Sequence, residues 1–170
     1  MLGRCQMLTG KFEEAMEVYH HLSEMLPDNR GYLLNKCIAM VNCGHGEDAT
    51  AELYKLNFEN PDDTDVARVL AWGLLSCGKI SQAEREYQRL LSQDNPSAED
   101  CLNAGYCKWI DGQVEQALDL FRQYVGLMRE AHVNNQDDID MAEVFRRDSV
   151  MLMTNGLTSS ALLIMADMVE

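Results

Sequence analysis

Gly10, Gly44, Gly78 and Gly112 stand thirty-four residues apart. An alanine follows each after five residues: Ala15, Ala49, Ala83 and Ala117. Tyr19, Leu53, Tyr87 and Phe121 come four further on, and Pro27 and Pro61 keep the interval, with Pro96 one residue late. Three kinds of mark in one register define a repeat. A unit this short cannot bury its apolar face alone, so neighbouring copies must stack and share a core.

Within each repeat the marks describe a pair of helices. The glycine lies just past a helix end, where a left-handed backbone costs it little. Ala15, Tyr19 and Leu22 then fall at i, i+4 and i+7, the spacing of one helical face. Pro27-Asp28-Asn29 and Pro61-Asp62-Asp63 end that helix and offer N-caps to the next. This predicts repeats over about 1–29, 30–63, 64–96 and 97–131, with second helices near 13–26, 47–59, 81–92 and 113–130. After Tyr124 the period breaks. Gly156 and Ala161 restore the five-residue offset forty-four residues after Gly112, so about ten residues are inserted. They are expected to lengthen the fourth pair's second helix and the polar loop His132–Asp137. A fifth pair is then predicted over 138–170, with helices near 138–155 and 158–169.

The composition agrees with an all-helical chain: 46 % apolar residues suffice for a core, and prolines number three. The net charge of −14 argues against sequence-independent nucleic-acid binding and against docking on an anionic membrane. Much of it sits at predicted helix starts, as in Glu13-Glu14, Glu47-Asp48, Asp62-Asp63 and Glu99-Asp100, where the helix dipole favours acids. The six cysteines do not read as a disulfide framework. Cys5 and Cys107 take a small-residue place held by Ala39 and Gly73 elsewhere, and Cys behaves as a small hydrophobe when buried. Met1-Leu2-Gly3-Arg4 leads into no long apolar run, and no stretch is long enough to span a bilayer. A reduced, cytoplasmic protein without membrane insertion is the expectation.

The pattern resembles the tetratricopeptide repeat: thirty-four residues, helix-turn-helix, W-x2-L-G-x2-Y in the first helix and A-x3-F then P in the second. Ala15-x3-Tyr19 with Pro27, Ala83-x3-Tyr87 and Ala117-x3-Phe121 carry the second half. Leu2-Gly3 and Ala104-Gly105 keep the small pair of the first, while Leu33, Ala67 and Cys101 stand at the tryptophan place. The resemblance implies an all-α, right-handed α-solenoid of about five stacked antiparallel helix pairs, forming a single domain over 1–170. It also implies a concave groove lined by first helices. That groove would hold Leu34, Asn35, Ile38 and Val41 of the second repeat, and Arg68, Trp72 and Leu75 of the third. The fourth would add Leu102, Asn103, Tyr106 and Trp109, and the fifth Arg146, Val150 and Met153. Ile38, Trp72 and Tyr106 occupy places where a carboxylate-clamping relative would carry asparagine. An apolar or aromatic peptide, or an amphipathic helix, suits the groove better, with Arg68, Arg146 and Arg147 available to an acidic side chain.

Enzymatic signatures are missing. His20-His21 are adjacent and diverge by about 100° on a helix. There is no His-Glu-x-x-His, Cys-x-x-Cys or phosphate-binding glycine loop. Asn134–Asp138 has the oxygen content of a calcium loop, but Ile139 replaces its glycine and Phe145 its closing glutamate. The reading is a non-catalytic protein–protein interaction scaffold with no cofactor or metal and a protein or peptide partner. The alternative is a structural segment of a larger helical-repeat assembly, or a module that forms a homo-oligomer through its terminal repeat, favoured by the apolar Leu162–Met168.

Overall fold

The computed structural model describes residues 3, 6, 7, 9–131 and 138–170. Among them every regular element is a helix. The chain divides into two compact units, Met1–Cys77 and Gly78–Glu170. Leu2, Cys5, the whole polar loop His132–Asp137 and the calcium-like run except Asp138 lie outside the described residues.

In the first unit Gly3, Gln6 and Met7 are helical and precede α1 (Phe12–Met25), α2 (Arg30–Asn42), α3 (Gly46–Glu59) and α4 (Thr64–Ser76). Each turn glycine does what its spacing implies. Gly10 and Gly44 have φ of 74° and 86°. Gly44 N–H donates to Val41 C=O, and His45 N–H donates to Met40 C=O at 2.8 Å, closing the helix end with the paired bonds of a Schellman turn. The helices that follow the prolines start on polar caps: Asn29 accepts from Tyr32 N–H, and Asp63 from Asp65 and Val66 N–H. Asp63 also accepts from Arg30 at 2.6 Å, tying the start of α4 to the start of α2. Lys36 and Glu52 pair at 2.6 Å between α2 and α3. Helix α4 packs on both α2 and α3. Its Gly73 lies at their junction, where an added Cβ would stand 3.1 Å from Thr50 Cγ2 and 3.6 Å from Val41 Cγ2.

The second unit holds α5 (Ile80–Leu91), α6 (Ala98–Ile110), α7 (Val114–Ala131), α8 (Met141–Arg147), α9 (Ser149–Thr154) and α10 (Ser159–Val169). Gly78, Gly112 and Gly156 again have φ of 74°, 82° and 95°. Ser97 and Asp100 form a reciprocal capping box at α6, and Asp140 and Thr158 cap α8 and α10. Helix α7 runs for 18 residues, the lengthening expected of the insertion. A Cβ at Gly105 would lie 2.5 Å from the Phe121 ring, so the small residue lets α6 meet the aromatic of α7. Lys108 and Glu84 form an ion pair between α6 and α5.

One expectation needs correction. The first helix of the last pair is not continuous: it breaks at Asp148 into α8 and α9. Neither glycine nor proline is present there. The Asp148 carboxylate accepts from the Tyr106 hydroxyl at 2.7 Å, so the break coincides with a bond to α6.

Cys37, Cys43, Cys77, Cys101 and Cys107 are all in the thiol form, none of them in a disulfide among the described residues. Cys37, Cys101 and Cys107 are buried, and burial pushes Cys37 and Cys107 up to about 12. Among the described residues no helix is long and apolar enough to cross a membrane.

Candidate protein-interaction surface

First helices present the expected stripe, but packing divides it into open and closed positions. In the first unit Asn35 and Ile38 of α2 and Arg68 and Trp72 of α4 are half-buried. Ile38 and Trp72 each stand six residues before their turn glycine and so share a place in the repeat. Leu34, Val41 and Leu75 are buried, and their assignment to an open groove is corrected. Val41 is drawn in by α4, whose Gly73 approaches it, and Leu75 is fully enclosed. Arg68 also faces Asp65 at 3.6 Å.

In the second unit the correction is larger. Leu102 and Tyr106 are fully buried, and Trp109 is 7 % exposed. Phe145 of α8 explains it. Its ring centroid lies 5.3 Å from Trp109, 5.1 Å from Phe121 and 6.1 Å from Tyr106. Four aromatic rings in tilted and edge contact form a closed cluster, which buries large areas and favours such geometries. Trp109 and Tyr106 therefore hold α8 to α6 and α7 rather than offering a surface. Trp109 precedes Gly112 by three residues, the place of the buried Val41 and Leu75, whereas Trp72 precedes Gly78 by six, so the repeat register already separates the two.

The Tyr106 hydroxyl ends this cluster in a polar chain. It donates to Asp148, which also accepts from Arg147 Nε at 3.1 Å and Nη2 at 2.9 Å; Arg147 lies 3.6 Å from Glu99. Burial, and then the Asp148 charge, push the Tyr106 phenol far up, and the Asp148 hydrogen bond keeps the Arg147 guanidinium charged. Arg147 thus already pairs with Asp148 and Glu99 inside the unit, while about half of its side chain stays accessible. Asn103 remains half-buried beside Tyr87. Arg146, Val150 and Met153 are exposed, Val150 to 80 %. Among the described residues no group of three or more His, Cys, Asp or Glu is placed to hold a metal ion.

Helix pairs, positive-φ glycines at one interval and a small residue against an aromatic in the next helix define a class, the helical-repeat scaffolds. Within it, residues 6–73 match the tetratricopeptide-repeat family model, and the resemblance read from the sequence is shown. The fold over nearly the whole chain is that of solved MamA structures. A MamA RS-1 ArsTM double mutant superposes with a TM-score of 0.65 at 15 % identity, covering 99 % of this chain and 88 % of that one. A crystal structure of MamA gives 0.64 at 14 %, covering 99 % and 92 %, and another gives 0.63 at 14 %, covering 98 % and 85 %. At such identities the likeness shows an all-α tetratricopeptide-like fold and nothing finer. No curated protein matches the sequence.

Proposed function

We propose that this chain is a non-catalytic scaffold that holds a peptide or helix of a protein partner against the first helices of its pairs. The fold supports protein interaction in general. The observation that carries the finer reading is Trp72. It is half-buried on α4, while Leu70, Ala71, Gly73, Leu74 and Leu75 around it are buried. The core has its own residues there, and a partly open indole is the commonest kind of interface anchor. Ile38 occupies the same repeat position on α2, which packs against α4, so the two extend one stripe. Asn35 and Arg68 would supply polar contacts at its border, and Asn103 the corresponding contact in the second unit.

The test is affinity capture with wild type beside an Ile38→Ala/Trp72→Ala variant shown by circular dichroism to be folded. A partner held through this stripe should bind the variant roughly thirty-fold more weakly, the loss of one hot spot. A partner retained equally by both would put binding on another face.

A further inference from the structure

Helix α3 turns an aromatic pair toward solvent. Phe58 is 87 % exposed and Tyr54 42 %. They stand four residues apart, so the two rings lie about 40° from each other on one helical face. The repeat register marks that face as the outward one. Ten residues after the turn glycine, where α3 has Tyr54, the other repeats of the thirty-four-residue register have His20, Gln88 and Arg122. Fourteen after it, where α3 has Phe58, they have Glu24, Ser92 and Gly126. All six are exposed. The core side of α3 is already filled by Ala49 and Leu53, both fully buried, so the rings are not core residues displaced by crowding. Neighbouring aromatics left in water at a place the other repeats keep polar mark a contact surface.

The charges around the rings set the chemistry of the occupant. Glu47 and Asp48 lie at the start of α3, Glu59 is its last residue, and Asp62 is in the turn that follows. All four are exposed, and none enters an ion pair or side-chain hydrogen bond among the described residues. Helix dipoles explain Glu47 and Asp48 at the N-terminus of α3 and Asp62 beside that of α4, but Glu59 meets the negative end of the α3 dipole. Lys55 lies between these acids in the chain and leaves the face net negative. We propose that this outward face of α3 docks an arginine-rich segment of a partner protein, its guanidinium groups stacked on Phe58 and Tyr54 and paired with Glu59 and Asp62. A guanidinium takes both contacts at once, because its plane lies on a ring while its edge donates to a carboxylate. The same charges turn away other occupants of an exposed aromatic patch. A second copy of this chain brings its own net charge of −14, and an anionic membrane or a nucleic acid is repelled likewise. The surface belongs to a second helix, so it goes beyond the first-helix stripe and does not depend on it.

The experiment uses the full chain and two fluorescent peptides of equal length, serine alternating with arginine in one and with lysine in the other, followed by anisotropy. The Arg peptide should bind about two- to five-fold more tightly than the Lys peptide, the worth of one exposed cation–π contact. Phe58→Ser, at an exposed position where α5 already carries Ser92, leaves folding intact and should erase that preference. Phe58→Tyr keeps a ring and should keep it. Glu59→Gln/Asp62→Asn should weaken both peptides about three- to ten-fold, as the loss of two exposed ion pairs does. Glu13→Gln/Glu17→Gln removes as many exposed acids from α1, where His20 and Glu24 replace the two rings, and should weaken either peptide less than about two-fold. Trp72→Ala should change neither, which separates this face from the first-helix stripe, so that either can fail alone. Failure of the Arg peptide to bind, equal binding of the two peptides, or a preference that survives Phe58→Ser overturns the proposal. So do equal losses from the α1 and α3 acid pairs, since the overall charge would then account for the binding. Light scattering that shows a dimer dissolved by Phe58→Ser would also overturn it, because the face would belong to a second copy.

Discussion

Between α2 and α3 the cleft receives a glycine, Gly73 of α4; between α6 and α7 it receives a phenyl ring, Phe145 of α8. The linings differ to match. Val41 and Leu53 stand at the repeat places that Trp109 and Phe121 take in the second unit. A small insert meets medium aliphatic walls, and a large insert is surrounded by large rings. The repeat rule thus governs the turns and the close approach of paired helices, while the volume at each cleft is settled locally by its own lining. Close packing makes such matching necessary, because both underfilling and overfilling cost stability.

Removing the large insert should do the most damage. Phe145→Ala takes a fully buried ring from the middle of three others. It should cost about 3–5 kcal/mol in chemical denaturation, as ring truncation in a core does. A loss below 1 kcal/mol would mean that Trp109 and Phe121 can close on each other, and that the large-insert description is wrong.

Next in size is the polar end of the same cluster. Tyr106→Phe keeps the ring and removes the hydroxyl that donates to Asp148. Hydrogen bonds to charged groups contribute about 1.5–3 kcal/mol, and Arg147 remains on Asp148, so the low end is expected. If the bond also fixes the break between α8 and α9, a double-mutant cycle with Asp148→Asn should show strong coupling. Additive losses would separate the break from the bond.

The parts of this arrangement differ in how far the sequence discloses them. The positive φ of Gly44 or Gly112 leaves a compositional mark at a fixed interval, because other residues avoid that backbone. Caps such as Asn29, Asp63 and Ser97 are marked by local chemistry, as are the alanines by the need for close approach. The fate of a tryptophan is less so. Trp109 stands three residues before its glycine, the place of the buried Val41 and Leu75, and Trp72 stands six before, but what closes Trp109 is Phe145 of a later pair, at the tryptophan place that Leu33, Ala67 and Cys101 hold elsewhere. The break at Asp148 follows the same logic: its partner Tyr106 stands 42 residues earlier, and no local breaker announces it. Register can be read along the chain, but which stripe positions stay open depends on the helix that arrives next.

A single methyl group sharpens the comparison of close approaches. Gly105→Ala would place Cβ 2.5 Å from a Phe121 ring already hemmed in by Tyr106, Trp109 and Phe145, so the ring has little room to retreat. Overpacking of this kind costs about 1–3 kcal/mol. Gly73→Ala meets Thr50 Cγ2 at 3.1 Å, where a slight shift suffices, and alanine gains about 1 kcal/mol over glycine inside a helix. The expected net change at Gly73 is below about 1 kcal/mol. Equal losses at the two sites would show that the aromatic cluster yields as readily as the aliphatic junction.

The smallest effect concerns reactivity. Cys37 in α2 and Cys107 in α6 serve as reporters of the two units, both held up to about 12, first by burial and then by the nearby Glu52 and Glu84 charges respectively. A thiol alkylates as its thiolate, so at pH 8 only about one molecule in ten thousand is competent at either site in the closed state. Labelling there should be slow, should rise about ten-fold per pH unit toward 12, and should become fast on unfolding, when each thiol returns to its ordinary range. Where labelling proceeds through local opening instead, it reads the stability of the surrounding helices. Phe145→Ala should then accelerate alkylation of Cys107 more than that of Cys37, measured by peptide mapping after a pulse of iodoacetamide. Equal acceleration at both cysteines would mean that the loss of one ring loosens the aliphatic junction as much as the aromatic one, and the contrast between the two clefts would not extend to their opening.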